Sequence, residues 1–219
     1  EQIHRLGTNV ISVSAQQSRS VGGRARTGNI VTTLREADYL ALRREIEGIA
    51  RASAVVSGVL RLKAGFLSKN TTVAGCEPAF FAIRSRELAS GDYFDEAQMR
   101  RDARVAVLGY SVAQDLFGGE SPVGERIFIN RVPFEVIGVL RERGQGLDPG
   151  NEDQYVYVPL GTAMRRLLSV EWYNSIALEV QRWQDMDRVA GEITGLLRER
   201  HRSSILLADD FKVQSQKEL

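Results

Sequence analysis

The stretch VAVLGYSVAQDLFG, residues 105–118, decides between two folds. An apolar run ends at Gly109, a serine follows two residues later, and an amphipathic segment begins. Strand, tight turn, serine and helix in that order is how α/β-hydrolases present a nucleophile, and Gly109 to Ala113 lacks only the last glycine of G-x-S-x-G. A nucleophilic hydroxyl needs a base within hydrogen-bond reach and an acid to orient that base. The chain has two histidines, His4 and His201, and His201 follows Ser111 in hydrolase order with Asp148 or Asp153 between them. Against this, Ala113 stands where the elbow needs glycine for close helix–strand packing. The flanking sequence also lacks a series of parallel strands, and His201 closes a helix belonging to another part of the chain. Ser111 and Gln114 instead spell S-x-x-Q, a capping box in which Ser111 opens helix 112–117. The stretch thus belongs to a mixed α+β unit, not a hydrolase.

Working outward, a hairpin is expected in 58–76 with its turn around Ser68-Lys69-Asn70, and a short helix carrying Phe80, Phe81 and Ile83 follows Glu77-Pro78. Residues 91–94 turn the chain into a charged helix leading to strand 104–108. Gly118-Gly119 stop the serine helix. Strands 126–129 and 132–140 then pair across an Asn130-Arg131 turn, a weaker signal than Asn-Gly. A polar loop at 141–153 leads to strand 155–160 and a helix from Thr162.

Two flanking stretches share a plan. The first is a strand at 9–15, a polar loop at 16–31, a helix opened by the capping box Thr33-Leu34-Arg35-Glu36, and a strand over 54–60. Its apolar positions are Leu34, Ala37, Ala41, Leu40 and Leu42. The second is a strand at 175–180, a helix from about Asp185, and a strand at 205–208. Met186, Val189, Ala190, Ile193 and Leu197 form one stripe at helical spacing, and Arg198, Arg200 and Arg202 suit the helix's negative end. The expected fold is α+β: a split βαβ subdomain of residues 1–85 and 171–219, with a mixed α+β subdomain of residues 86–170 inserted into it.

Composition narrows the function classes. With 43% apolar and 26% charged residues in 219, the chain is a globular protein and not a disordered one. Its 29 basic and 28 acidic residues nearly cancel, which excludes a basic field for nucleic acid or an anionic membrane surface. A single cysteine, Cys76, rules out an internal disulfide and a cysteine-based zinc cluster. No apolar run approaches the ~20 residues that cross a bilayer. The chain opens without methionine and closes abruptly after Phe211 to Ser215, so both ends read as those of a segment from something longer.

The remaining motifs resolve as structure. Gly144-Gln145-Gly146 and Gly150 precede no helix and fail as a phosphate loop. Asp148, Asn151 and Asp153 are placed for calcium, but Pro159 stands where an EF-hand starting at Asp148 needs its glutamate, leaving a solvated loop. His4 and His201 lack ligand partners at metal spacing and read as surface residues. Glu142, Glu152 and Asp153 carry no burial signal that would separate two carboxylate pKa values. Phe80-Phe81 and Tyr93-Phe94 are core anchors, and Asn70-Thr71-Thr72 is a formal glycosylation sequon. No catalytic, cofactor-binding or metal site emerges.

An ordered series of non-catalytic motifs remains: LGTNVISV at 6–13, GDYF at 91–94, residues 104–140 in full, NEDQYVYVPLGTAMRRL at 151–167 and IALEV at 176–180. The series resembles the periplasmic core domain of MacB-type ABC transporter permeases, a superfamily shared with LolC/LolE and FtsX. The resemblance implies a porter-like subdomain with an inserted sabre-like one, lying between the first two transmembrane helices of an inner-membrane permease. Its motif positions are Gly91, Tyr93, Phe94, Gly109, Ser111, Gly118, Pro122, Gly124, Gly138, Pro159 and Leu160, with turn and strand-boundary roles. It further implies a non-enzymatic segment that passes ATP-driven motion outward to drive export. The partners are then a second permease subunit, a periplasmic adaptor and an outer-membrane channel. ATP and magnesium belong to a cytoplasmic domain outside this segment. The alternative is a LolC/LolE-like or FtsX-like docking module. Loop 141–153 and Gly22 to Arg26 are the exposed candidates for adaptor contact.

Overall fold

Alternating apolar and polar residues, and in the central strands continuous apolar runs, form ten strands interleaved with six α-helices in a computed structural model that describes residues 9–16, 33–143, 151–201 and 209–216. In chain order these are β1 (Val10–Ala15), α1 (Glu36–Glu45), β2 (Ile49–Ala64), β3 (Leu67–Cys76), α2 (Ala79–Ile83), β4 (Leu88–Gly91), α3 (Glu96–Arg100), β5 (Val105–Leu108), α4 (Tyr110–Phe117), β6 (Arg126–Ile129), β7 (Val132–Leu140), β8 (Tyr155–Pro159), α5 (Leu160–Thr162), β9 (Ser175–Val180), α6 (Met186–Arg200) and β10 (Phe211–Gln216). Two compact units divide the chain. The first comprises 1–54, 83–85 and 171–219; the second comprises 55–82 and 86–170.

In the first unit the strand order is β10–β1–β9–β2, and β1 is antiparallel to both β10 and β9. Helices α1 and α6 pack on each other. Helix α6 forms because Met186, Val189, Ile193 and Leu197 recur on one face, all buried, while Asp187 begins it and Arg198 and Arg200 end it. That stripe was legible. The α1 face was not: Ala37 and Leu40 face out, and the inner side is Asp38, Tyr39, Ala41 and Leu42. Nor is Thr33 its cap. The helix starts after Arg35, whose N–H donates to Asp38 Oδ2 at 2.9 Å, so an acid three residues inside satisfies the end of the helix. Strand β10 was not foreseen, and the expected strand at 205–208 lies outside the described residues.

In the second unit the order runs β2–β3–β8–β5–β7–β4, with β6 pairing both β2 and β7. Residues 55–82, assigned above to the first subdomain, group here. The reason is β3, which pairs in parallel with β8 from Thr72↔Tyr155 to Cys76↔Pro159 and so ties its whole hairpin to this unit. The β2–β3 turn is at Gly65-Phe66, not at 68–70: Ala64 opposes Leu67, and Gly65 takes a φ of 57°. The Asn130-Arg131 turn forms as expected, both residues at positive φ (47° and 69°) in the manner of a type I′ hairpin. Its core is aromatic, with Phe81 in contact with the rings of Phe80, Tyr93, Phe94 and Tyr157.

Candidate functional site

Ser111 settles the question raised by 105–118. Helix α4 begins at Tyr110 with Gly109 as its N-cap, so Ser111 lies half-buried inside the first turn and is not the cap. Its hydroxyl has no hydrogen-bond partner among the described residues. His201 belongs to the first unit and Ser111 to the second.

The motif residues turn out to be points of backbone crowding. Gly109 N–H donates to Tyr155 O at 2.8 Å, and a Cβ at Gly109 would lie 2.5 Å from Asp153 O, so only glycine lets β5 pass the start of β8. Gly91, at a φ of 75°, sits opposite Gly138 in the β4–β7 register, and a Cβ on either would collide with backbone of the other strand's segment. The chain between them is held by Asp92 N–H donating to Ile137 O at 2.8 Å. Tyr93 donates its hydroxyl to Arg86 O at 2.6 Å, and Phe94 is 1% exposed. Gly118 ends α4 in the left-handed conformation. Pro122 O accepts from Glu125 N–H and Gly124 N–H donates to Val136 O, which seats the turn before β6 against β7. Pro159 opposes Cys76 at the end of β8, and Leu160 is buried as α5 begins. Burial pushes the Cys76 thiol well above its usual range, and the Glu77 charge adds to this.

Two charged clusters were misread in the sequence. Asp153 is not a solvated loop carboxylate: its side chain is 4% exposed and its Oδ1 lies 3.0 Å from Nη2 of Arg86, itself 1% exposed. Asp153 also accepts the Arg143 N–H at 3.0 Å, and Glu152 stands 3.8 Å from Arg86 Nη1 and 3.3 Å from Arg143 Nη1. The cluster fastens the α2–β4 connection to the entry of β8. No spacing rule joins residues 67 positions apart, so nothing in the sequence announced the pair.

His201 is likewise not a surface residue. Its side chain is 8% exposed; Nδ1 lies 2.8 Å from Asp210 Oδ1, and Nε2 lies 3.2 Å from Asp38 Oδ2. Arg200 Nε donates to Asp38 Oδ1 at 2.8 Å, and the Phe211 ring meets the imidazole edge-on. Burial pulls the His201 pKa down, but the hydrogen bonds and charges of Asp210 and Asp38 outweigh it and hold it above the ordinary value. For Asp38, burial opposes the anion, yet Arg200, the Arg35 N–H and His201 together hold its carboxyl below the usual range. The cluster staples α1, the end of α6 and the start of β10. His4, the Gly144 to Gly150 segment with Asp148, and Gly22 to Arg26 lie outside the described residues.

These arrangements tie one stretch of the chain to another; none of them assembles a nucleophile, a base and an acid. No described helix is long and apolar enough to cross a membrane. Comparison with known proteins gives the same direction. A profile described as the MacB-like periplasmic core domain matches residues 1–196. The macrolide export ATP-binding/permease protein MacB of Bdellovibrio bacteriovorus is 36% identical over 204 residues, 92% of this chain and 31% of the relative. The pyoverdine export ATP-binding/permease protein PvdT of Pseudomonas syringae is 32% identical over 201 residues, 91% of this chain and 29% of the relative. The chain thus spans about a third of the length of such relatives. In fold it is similar to the periplasmic region of MacB from Actinobacillus actinomycetemcomitans, with a TM-score of 0.78 at 21% identity, covering 98% of this chain and 92% of that one. The extracellular domain of the Gram-positive transporter YknZ follows, with a TM-score of 0.72 at 18% identity over 94% of this chain and 100% of that one.

Proposed function

Because the chain belongs to the family of MacB-like periplasmic core domains of ABC transporter permeases, we propose that it transmits ATP-driven motion of membrane helices to an exported periplasmic cargo. The observation that carries this is the match over residues 1–196, together with the export names of relatives 36% and 32% identical to it. Those names favour export over the lipoprotein-releasing or FtsX-like alternative. In this reading the first unit is the porter-like subdomain, a split βαβ layer of β1, α1, β2, β9, α6 and β10. The second unit is the sabre-like subdomain. The domain stands on the periplasmic side of the inner membrane, in a permease that dimerises, and works with a periplasmic adaptor and an outer-membrane channel. ATP and magnesium act in the cytoplasmic part of the full-length system, and this segment does no covalent chemistry.

The physical role is that of a two-state element biased by a distant ligand: the units move as bodies while their interiors stay packed. The Arg86–Asp153 and Asp38–His201 clusters support this, since each stiffens one unit internally. A disulfide engineered between the two units of the full-length permease tests it. Transport is expected to stop while ATP hydrolysis continues; export at the wild-type rate in the oxidised protein overturns the reading.

A further inference from the structure

At one end of the second unit two hairpins meet. Strand β2 pairs with β3 across Gly65-Phe66 and with β6 at Leu62↔Ile129 and Lys63↔Phe128, so the β2–β3 and β6–β7 tips lie side by side. The pleat sends Leu62, Ala64, Ile127 and Ile129 inward and Arg61, Lys63 and Phe128 outward. Between the tips is an open pocket of about 870 Å³, whose lining includes Arg61, Lys63, Arg131, Phe66, Phe128 and Ser68 and, among the described residues, no carboxylate.

Two features there do not serve folding. Phe66 occupies a turn position where polar residues and glycine are the rule, and it is fully exposed, with Leu67 and Phe128 beside it at 52% and 39%. Among the described residues the cations are also unneutralised. Arg61 donates only to Ser68 Oγ, at 3.2 Å, and Lys63 and Arg131 have no ion pair among the described residues. The acid on the neighbouring strand, Glu135, is opposite Arg126. In a chain whose net charge is only +1, this is a local cationic excess around an exposed aromatic pair. Aromatic residues and arginine centred in a concavity are the composition of a protein–protein hot spot, and exposed apolar surface rimmed by charge marks such a contact.

We propose that the paired hairpin tips are a docking surface for an acidic face of a partner protein that carries an apolar side chain, the cations pairing its carboxylates and Phe66 and Phe128 gripping the apolar group. The inference rests on the export reading above, in which that partner is the periplasmic adaptor. Charge complementarity selects the occupant: the pocket offers positive charge and ring faces, and an acidic, apolar-bearing surface satisfies both.

The test uses detergent-purified full-length permease and the immobilised adaptor encoded with it, with affinity read by biolayer interferometry. Lys63→Glu with Arg131→Glu, and separately Phe66→Ser, are expected to weaken binding about tenfold or more. Trp183→Ser, a change at another exposed aromatic residue in the first unit, is expected to leave binding unchanged. Raising salt is expected to weaken the wild type more than the charge-reversed variant. All four residues changed in the test are exposed, so unchanged melting temperatures are expected, and Phe66→Ser tests the surface without altering charge. Equal affinity for wild type and both tip variants, or an equal loss in Trp183→Ser, overturns the docking surface and leaves the export reading standing. Failure of the wild-type permease to bind the adaptor at all overturns both.

Discussion

Replacing Asp153 by alanine removes the carboxylate facing a guanidinium that cannot reach water. Arg86 is 1% exposed at its side chain, so Asp153→Ala strands a buried charge, and breaking such a pair from one side costs about 3–5 kcal/mol. Glu152, 3.8 Å from Nη1, remains as a partial partner and places the expected loss near the lower bound, about 3 kcal/mol. For a chain of this length that corresponds to a fall of roughly 6–12 °C in melting temperature. Removing both charges is different: Arg86→Met with Asp153→Leu fills the same space without desolvated ions and is expected to return within about 1 kcal/mol of wild type. The assay is urea unfolding followed by far-UV circular dichroism, with tryptophan fluorescence alongside. Both tryptophans, Trp172 and Trp183, lie in the first unit, so their signal serves as an internal control for damage confined to the second. A single-variant loss under about 1 kcal/mol, or a double variant as unstable as the single one, refutes the view that this pair is a desolvated clasp.

Three further outcomes follow from the structure. His201 has a folded pKa raised above its ordinary ~6.5, so its contribution is complete below that pH and is lost as pH rises through the folded value. Melting of the first unit is therefore expected to fall on going from neutral to mildly alkaline pH, read by tryptophan fluorescence, and His201→Ala is expected to flatten that slope. Asp38 works in the opposite direction: its folded pKa is depressed, so its contribution is present above ~3.9 and lost as pH falls through the folded value. Gly109→Ala places a methyl 2.5 Å from Asp153 O and 2.8 Å from Tyr155 O, both backbone atoms, and is expected to cost about 2 kcal/mol or more in the same urea assay.

How much of this was legible depended on the range of the interaction. Helix α6 wrote its buried stripe into four residues of one helical face, with Ala190 half-buried beside them, and the β6–β7 hairpin wrote its turn between two alternating runs; both signals are local and both were read. The extent of β2 was not, because a strand of 16 residues passing from one unit to the next carries no punctuation at Ala54. Strand β10 does alternate, with Phe211 and Val213 apolar between polar neighbours, yet six residues at the chain's end gave too short a pattern. Ser111 and Thr33 show the limit of capping signatures: a sharp glycine turn and an inward acid each provided the helix start instead. The buried pairs were invisible. Arg86 and Asp153 are 67 residues apart, and His201 meets Asp38 across 163, so Asp153 read as part of a solvated loop and His201 as a surface residue. The candidate docking surface was missed for the same reason, since Lys63 and Phe128 become neighbours only through the β2–β6 register.

The central claim, that the two units move against each other as intact bodies when the permease binds nucleotide, is tested most directly by pulsed spin-label distances in the full-length protein. Cys76 is buried, so labels go on introduced cysteines at exposed positions: Glu192 in the first unit with Gln114 in the second, and within-unit pairs Glu36 with Glu192 and Glu96 with Gln114. The account predicts that the cross-unit distance distribution shifts between the nucleotide-free and ATP-bound states while both within-unit distributions stay fixed. A cross-unit distribution that ignores nucleotide, or a within-unit one that follows it, contradicts the account.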